Sequence, residues 1–178
     1  MVRIVEAAGS PAQRGRAIGR ALAEEIQRSL TFYRARVEGF DLGRLLAPYR
    51  AAAERRLPDH VAMLDATAAA ADVSSDELFA LNAWEELEPL LEPQKAAVER
   101  CTSFTAVAGG ATILAHAEHW YAADAGSVAV VVEYPDDGSP ALASPTPACY
   151  LPAVGMNARR AAQGIDSLTA SDDREGVP

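Results

Sequence analysis

Lysine is almost missing from this sequence. Of 16 basic residues fifteen are arginine and one, Lys95, is lysine. Chemistry that needs a reactive lysine amine has that single candidate, in an exposed-looking Pro-Gln-Lys-Ala stretch, and is set aside. Positive charge is short as well. The 25 acidic residues leave a net charge of −9, the wrong sign for a nucleic-acid surface, which needs clustered cations to replace counterions. No apolar run approaches the ~20 residues of a membrane span, and the first six residues hold no hydrophobic signal core. The expected compartment is therefore the cytoplasm, with neither nucleic acid nor membrane as a partner. Only two cysteines occur, Cys101 and Cys149, without zinc-type Cys-x-x-Cys spacing. In that compartment they are expected to be free thiols.

What is present is enough for one domain: 178 residues, 49% of them apolar, can bury a core. The chain changes period near residue 100. Before it, a short β-like run at Val2–Val5 is followed by Gly9-Ser10-Pro11, where Ser10 caps and Pro11 opens a helix. Ile18, Leu22, Ile26, Leu30, Tyr33 and Val37 then mark one apolar face of a single long helix. Further helices are expected over 41–56 and 58–71. Ser74-Ser75-Asp76-Glu77 reads as a capping box before a fourth, which fades near Pro89 and Pro93 into a linker over 89–100.

After Arg100 the pattern is β. Strands are expected over 102–108, 112–118 and 127–134, with Gly109-Gly110 and Asp136-Asp137-Gly138 as turns, and two short ones over 154–157 and 161–166. The predicted fold class is α+β, with residues 1–100 mainly helical and 101–178 β-rich.

Cys101 sits at the junction, in Glu-Arg-Cys-Thr-Ser-Phe-Thr. Either it is the first residue of a buried strand, since free cysteine is among the most buried types, or it is a nucleophile. Ser103 falls on the same strand face, near the thiol or simply facing water. His116, Glu118 and His119 do not suggest a metal site, because His116 and His119 face opposite sides of a strand and no His-Glu-x-x-His helix is present. Cys149 reads as an inert thiol, and Trp84 and Trp120 as core.

Several stretches, in order, resemble one family. They are Arg100-Cys101-Thr102-Ser103-Phe104, Ile113-Leu114-Ala115-His116-Ala117-Glu118-His119-Trp120, Gly155-Met156-Asn157 running to Leu168, and Asp173-Arg174-Glu175-Gly176-Val177-Pro178. Gly9-Ser10-Pro11 with Arg14-Gly15 and Gly19, and Leu81-Asn82-Ala83 with Glu85, add to them. Together they resemble the acyl-coenzyme A:6-aminopenicillanic acid acyltransferase family, peptidase C45. The resemblance implies an N-terminal-nucleophile hydrolase, an αββα sandwich made as a precursor that cuts itself before its cysteine. Here the cut would fall at Arg100–Cys101 and leave 100 residues before it and 78 from Cys101 onward. The freed α-amine, with pKa roughly 7.7–8.0, would take the thiol proton. The implied substrate is a small-molecule amide or acyl thioester. No cofactor is implied, acyl-coenzyme A entering only as substrate.

The site departs from the family at two positions. His119 stands where the family has the aspartate that supports the terminal amine, with Ala117 in place of an asparagine. Strand alternation is expected to turn Glu118 to the opposite face. Asp166 stands where the family has an asparagine that donates to the oxyanion, and a carboxylate repels that charge. Asn157 matches a family asparagine, or else satisfies turn backbone. The implied catalytic set is Cys101, Ser103, His119, Asn157 and Asp166. Family members run to about twice this length, so the sandwich is expected to be incomplete, with a missing C-terminal half or a second copy as partner. The alternative functions are an inert relative serving as a binding or assembly module, or a helical interaction domain in which Cys101 has no role.

Overall fold

The computed structural model of the protein describes residues 2–91, 101–167 and 175–178. The expected linker beyond Leu91, including Arg100, lies outside the described residues. The chain runs β1 (Arg3–Gly9), α1 (Pro11–Ala21), α2 (Ala23–Val37), α3 (Leu42–Arg56), α4 (Pro58–Ala70), α5 (Ser75–Asn82) and α6 (Trp84–Leu91). There follow β2 (Cys101–Ala108), β3 (Ala111–Glu118), a 3₁₀ turn (Ala122–Ser127), β4 (Val128–Pro135), β5 (Leu142–Pro147), β6 (Gly155–Asn157) and β7 (Ala162–Gln163). The α+β class and the change of period at residue 100 are as expected.

Local chemistry explains most boundaries. At α1, Ser10 Oγ accepts from the Gln13 amide while the Gln13 side chain accepts from the Ser10 amide, a reciprocal cap completed by Pro11. The expected single long helix is in fact two, α1 and α2, parted at Leu22, whose φ of −117° leaves helical geometry. Its apolar stripe survives the break: Ile18, Leu22, Ile26, Leu30 and Tyr33 are all buried. The capping box expected at Ser74 forms only in half. Ser74 is the cap residue, but its side chain makes no capping bond, while the Glu77 carboxylate does accept from the Ser74 backbone N–H. Glu77 is held by Arg34 through two bonds of 2.7 and 2.8 Å, and Ser75 Oγ joins Arg50 and Asp65. The fourth helix is likewise two, α5 and α6, and Pro89 lies inside α6 rather than ending it.

The strands form two sheets. One has five strands in the order β1-β4-β5-β6-β7; the other is the β2–β3 hairpin. β1 pairs parallel to β4, so the helical half contributes a strand to the β-rich half. Helices cover one face of the five-stranded sheet, where Val5, Ala7, Ala129 and Val131 join the core with Leu64, Leu78, Leu81 and Trp84. On the other face Ile4 is 71% exposed. β5 was not expected, since three prolines between 140 and 147 mask its alternation, but Ser144 and Thr146 are buried on one face as a strand requires. Among the described residues no helix is long and apolar enough to cross a membrane.

Candidate functional site

The hairpin turn determines what faces Cys101. Gly109 and Gly110 have φ of +58° and +79°, the left-handed pair that a two-residue type I′ turn requires. That turn fixes the register Ala108↔Ala111, and counting outward pairs Ser103 with His116 and Cys101 with Glu118. Residues directly opposite one another share a face. Glu118 is therefore on the Cys101 side, and the expectation that it turns away is corrected. His119 lies beyond the end of β3, so alternation along the strand does not relate its face to that of Glu118.

The result is a continuous chain of polar contacts. Cys101 Sγ donates to Glu118 Oε1 at 3.0 Å, Glu118 Oε2 meets His116 Nε2 at 3.1 Å, and His116 Nδ1 meets Ser103 Oγ at 2.9 Å. Cys101 is half-buried. Burial, then the Glu118 carboxylate that accepts its S–H, push the thiol up to about 11; the backbone N–H of His119 pulls it the other way. In the uncut chain the sulfur is thus a thiol, not a thiolate, near neutral pH.

The remaining expected site residues are placed as follows. His119 meets the sulfur through its backbone amide, and the residue is exposed. Asp166 is exposed but close enough for its charge to hold the Cys101 thiol up. Its segment crosses the hairpin: a Cβ on Gly164 would stand 3.0 Å from Ser103 Oγ, and Ser167 Oγ donates to Glu85 at 2.6 Å. Asn157 does the turn duty named as its alternative, Oδ1 accepting from the amides of Arg159 and Ala161.

Cys101, His116 and Glu118 line an open cleft of about 760 Å³ with a largely apolar wall that includes Trp84, Trp120 and Leu151. A second void beside Cys149, about 10 Å³, has room for a water-sized occupant only. Behind the cleft Tyr33 Oη donates to Asp124 Oδ2 and meets Tyr150 Oη, each at 2.7 Å, and Trp120 Nε1 donates to both tyrosines at 3.0 Å. Asp124 also lines the cleft, and its buried Oδ1 has no partner among the described residues. Asn82 fastens this wall, donating to the Cys149 carbonyl at 3.0 Å and accepting from the Leu151 amide at 2.8 Å. Cys149 is buried and its thiol is pushed far up by desolvation. Sequence reasoning passed over Glu118 and His116 as neighbours of Cys101, and gave no signal for Asp124, Tyr33 or Tyr150.

If the carboxylate helps hold the thiol protonated, Glu118→Gln lowers the Cys101 pKa. Alkylation of Cys101 by iodoacetamide at pH 8, in metal-free buffer, is then expected to quicken on the order of tenfold, since the rate follows the thiolate fraction. Cys149 stays unlabelled in the folded chain. An unchanged rate would mean that Glu118 does not face the sulfur in solution.

No protein-family model matches the chain, and comparison with curated proteins found no match.

Proposed function

We propose that the protein is a cysteine amidohydrolase or acyltransferase of the N-terminal-nucleophile type, similar to peptidase C45, made as a precursor that cuts itself before Cys101. The observation that carries this reading is the placement of the Cys101 thiol, at the start of β2, on Glu118, itself paired with His116, at a large, mostly apolar cleft. Glu118 takes the part of the family's aspartate. It reaches the nucleophile across the hairpin register rather than from position 119 and supplies the carboxylate that an imidazole at His119 lacks.

In the first step Sγ, its proton passed to Glu118, attacks the carbonyl carbon of residue 100. The C–N bond breaks, the nitrogen takes a proton, and a thioester joins residue 100 to Cys101. Water hydrolyses that ester, leaving a carboxylate on residue 100 and a free thiol and amine on Cys101. The amine, paired with Glu118, then serves as base and acid toward an amide or acyl thioester, acyl-coenzyme A among them. The apolar wall of the cleft suits an acyl chain. The fold proposed is the αββα sandwich, with the five-stranded sheet as one of its two. Its exposed face, with Ile4 at 71%, is the face a second sheet, from a further segment or another copy, would cover.

Intact-mass spectrometry of the purified chain tests the reading. Slow processing is expected, because the thiol is held protonated and Asp166 opposes charge on the attacked carbonyl oxygen. Asp166→Asn is expected to raise the fraction cut, His119→Asp with Asp166→Asn to raise it further, and Cys101→Ala to abolish it. The product is a fragment of 78 residues beginning at Cys101. An uncut chain in every variant would leave the inert binding or assembly module as the better reading.

A further inference from the structure

We propose that Cys101, His116 and Glu118 form a binding site for one zinc ion on the open face of the hairpin. The proposal shares its side chains with the reading above, but it requires the thiol and not the cut.

Among the described residues, one group of three such side chains brings its donor atoms together: Cys101 Sγ, a His116 ring nitrogen and a Glu118 oxygen, all within 4.8 Å of one another. Tetrahedral zinc bonds of ~2.0–2.3 Å set neighbouring donors roughly 3.3–3.7 Å apart. The sulfur-to-carboxylate and carboxylate-to-imidazole distances of 3.0 and 3.1 Å are already close to that span. The two contacts use different Glu118 oxygens and all three donors lie within 4.8 Å of one another, so closing on one ion takes a rearrangement of these side chains and not of the backbone. Their backbones are fixed by a two-residue turn and an unbroken register.

The donor set suits the ion. Thiolate, imidazole and carboxylate are the three side-chain ligands zinc takes, and three protein ligands leave a fourth position open, here toward the cleft. Ser103 completes the case. Its Oγ lies 2.9 Å from His116 Nδ1, so an N–H at Nδ1 donates to the hydroxyl while Nε2 keeps its lone pair toward the ion. Such a partner on the far ring nitrogen is usual at zinc sites and orients the ligand. Asp166 adds negative charge close enough to act on the sulfur.

Binding exchanges one proton for one ion. The S–H proton leaves to solvent, the sulfur bonds the metal, and Glu118 moves from accepting that proton to ligating. A thiol unreactive as an isolated group becomes a bound thiolate. Zinc would thus hold the hairpin and block Cys101 as a nucleophile in the uncut chain.

Cobalt(II) titration of the full chain tests the site. One equivalent is expected to give the thiolate-to-cobalt charge-transfer band in the near ultraviolet, bleached by one equivalent of zinc. Cys101→Ala removes the band and His116→Ala weakens binding more than tenfold. Ser103→Ala weakens it about tenfold, as loss of an orienting partner does. His60→Ala leaves the titration unchanged, and circular dichroism of each variant confirms that it is folded. No band with the parent chain, or a band that survives Cys101→Ala, overturns the proposal. Cleavage is read separately by mass, so zinc binding without processing, or processing without zinc binding, shows which of the two readings has failed.

Discussion

Gly15→Val is expected to lower the melting temperature by more than 10 °C. A Cβ at position 15 would stand 2.1 Å from the Met63 carbonyl oxygen, and one turn along, a Cβ at Gly19 would stand 2.3 Å from that of Thr67. Both obstacles are backbone atoms of α4, so no side-chain rotation relieves them. Either α1 lifts off α4 or one of the helices deforms. Overpacking of a tight contact costs about 1–3 kcal/mol even for small insertions, and three added carbons against a carbonyl exceed that range. Net stabilities are only about 5–15 kcal/mol, and each kcal/mol is worth roughly 2–4 °C at this chain length. Gly15→Ala should show a smaller loss in the same direction. Gly43 supplies the control: its nearest obstacle is the Asp41 side chain at 3.6 Å, and Gly43→Ala in α3 should be neutral or stabilise by up to about 1 kcal/mol. Thermal unfolding followed by circular dichroism measures all three. A Gly15→Val chain that melts with its parent would mean that α1 and α4 do not approach this closely.

The same two glycines show the limit of what was legible in the sequence. Gly15 and Gly19 stand out in the sequence only as part of the family resemblance, and their role at the close approach of α1 to α4 comes from the fold. The apolar stripe from Ile18 to Tyr33 gave the buried face correctly because burial follows period. The break at Leu22 carries no local signal, since neither Leu22 nor its immediate neighbours is glycine or proline. The box at Ser74 forms in half: Glu77 accepts from the Ser74 backbone N–H while also pairing with Arg34, but the Ser74 hydroxyl makes no capping bond. β5 was hidden by its prolines, and β1 pairs with β4 across more than 120 residues, which no local pattern encodes.

At the site the Gly109-Gly110 turn is legible, and the hairpin register it sets places Glu118 opposite Cys101 and His116 opposite Ser103. Alternation along one strand from His119 points to the other face, because His119 lies outside β3. The pocket-wall residues are different in kind. Tyr33, Asp124 and Tyr150 are brought together from α2, the 3₁₀ turn and a loop, and only the fold assembles them. Position on one strand was readable, cross-strand neighbours were computable, and the long-range wall was neither.

Arg14→Ala is expected to destabilise the chain by about 3–5 kcal/mol, the cost of leaving one charge of a buried pair alone. Arg14 Nε donates to Glu133 Oε2 at 2.7 Å, with the two side chains only 13% and 7% exposed. Its Nη1 donates to the Gly9 carbonyl at 2.7 Å. One guanidinium therefore ties the start of α1 to β4 and to the end of β1, at the level where Gly9 pairs with Pro135. Without it the Glu133 carboxylate stays in the core-facing side of β4, and the Gly9 carbonyl loses a donor. The sign of the pair itself is a separate matter. Removing both charges with side chains of similar volume, Arg14→Met with Glu133→Leu, takes away the desolvation cost as well as the attraction. The double variant should therefore recover most of the loss, and its non-additivity against the single variants measures the coupling. Because the pair is buried, raising the salt from about 0.1 M to 1 M should change the Arg14→Ala deficit little, unlike that of an exposed bridge. A single-variant loss under about 1 kcal/mol, or one that vanishes in salt, would mean that Glu133 is solvated. The junction of β1, α1 and β4 would then be held by the β1–β4 backbone pairing and apolar packing.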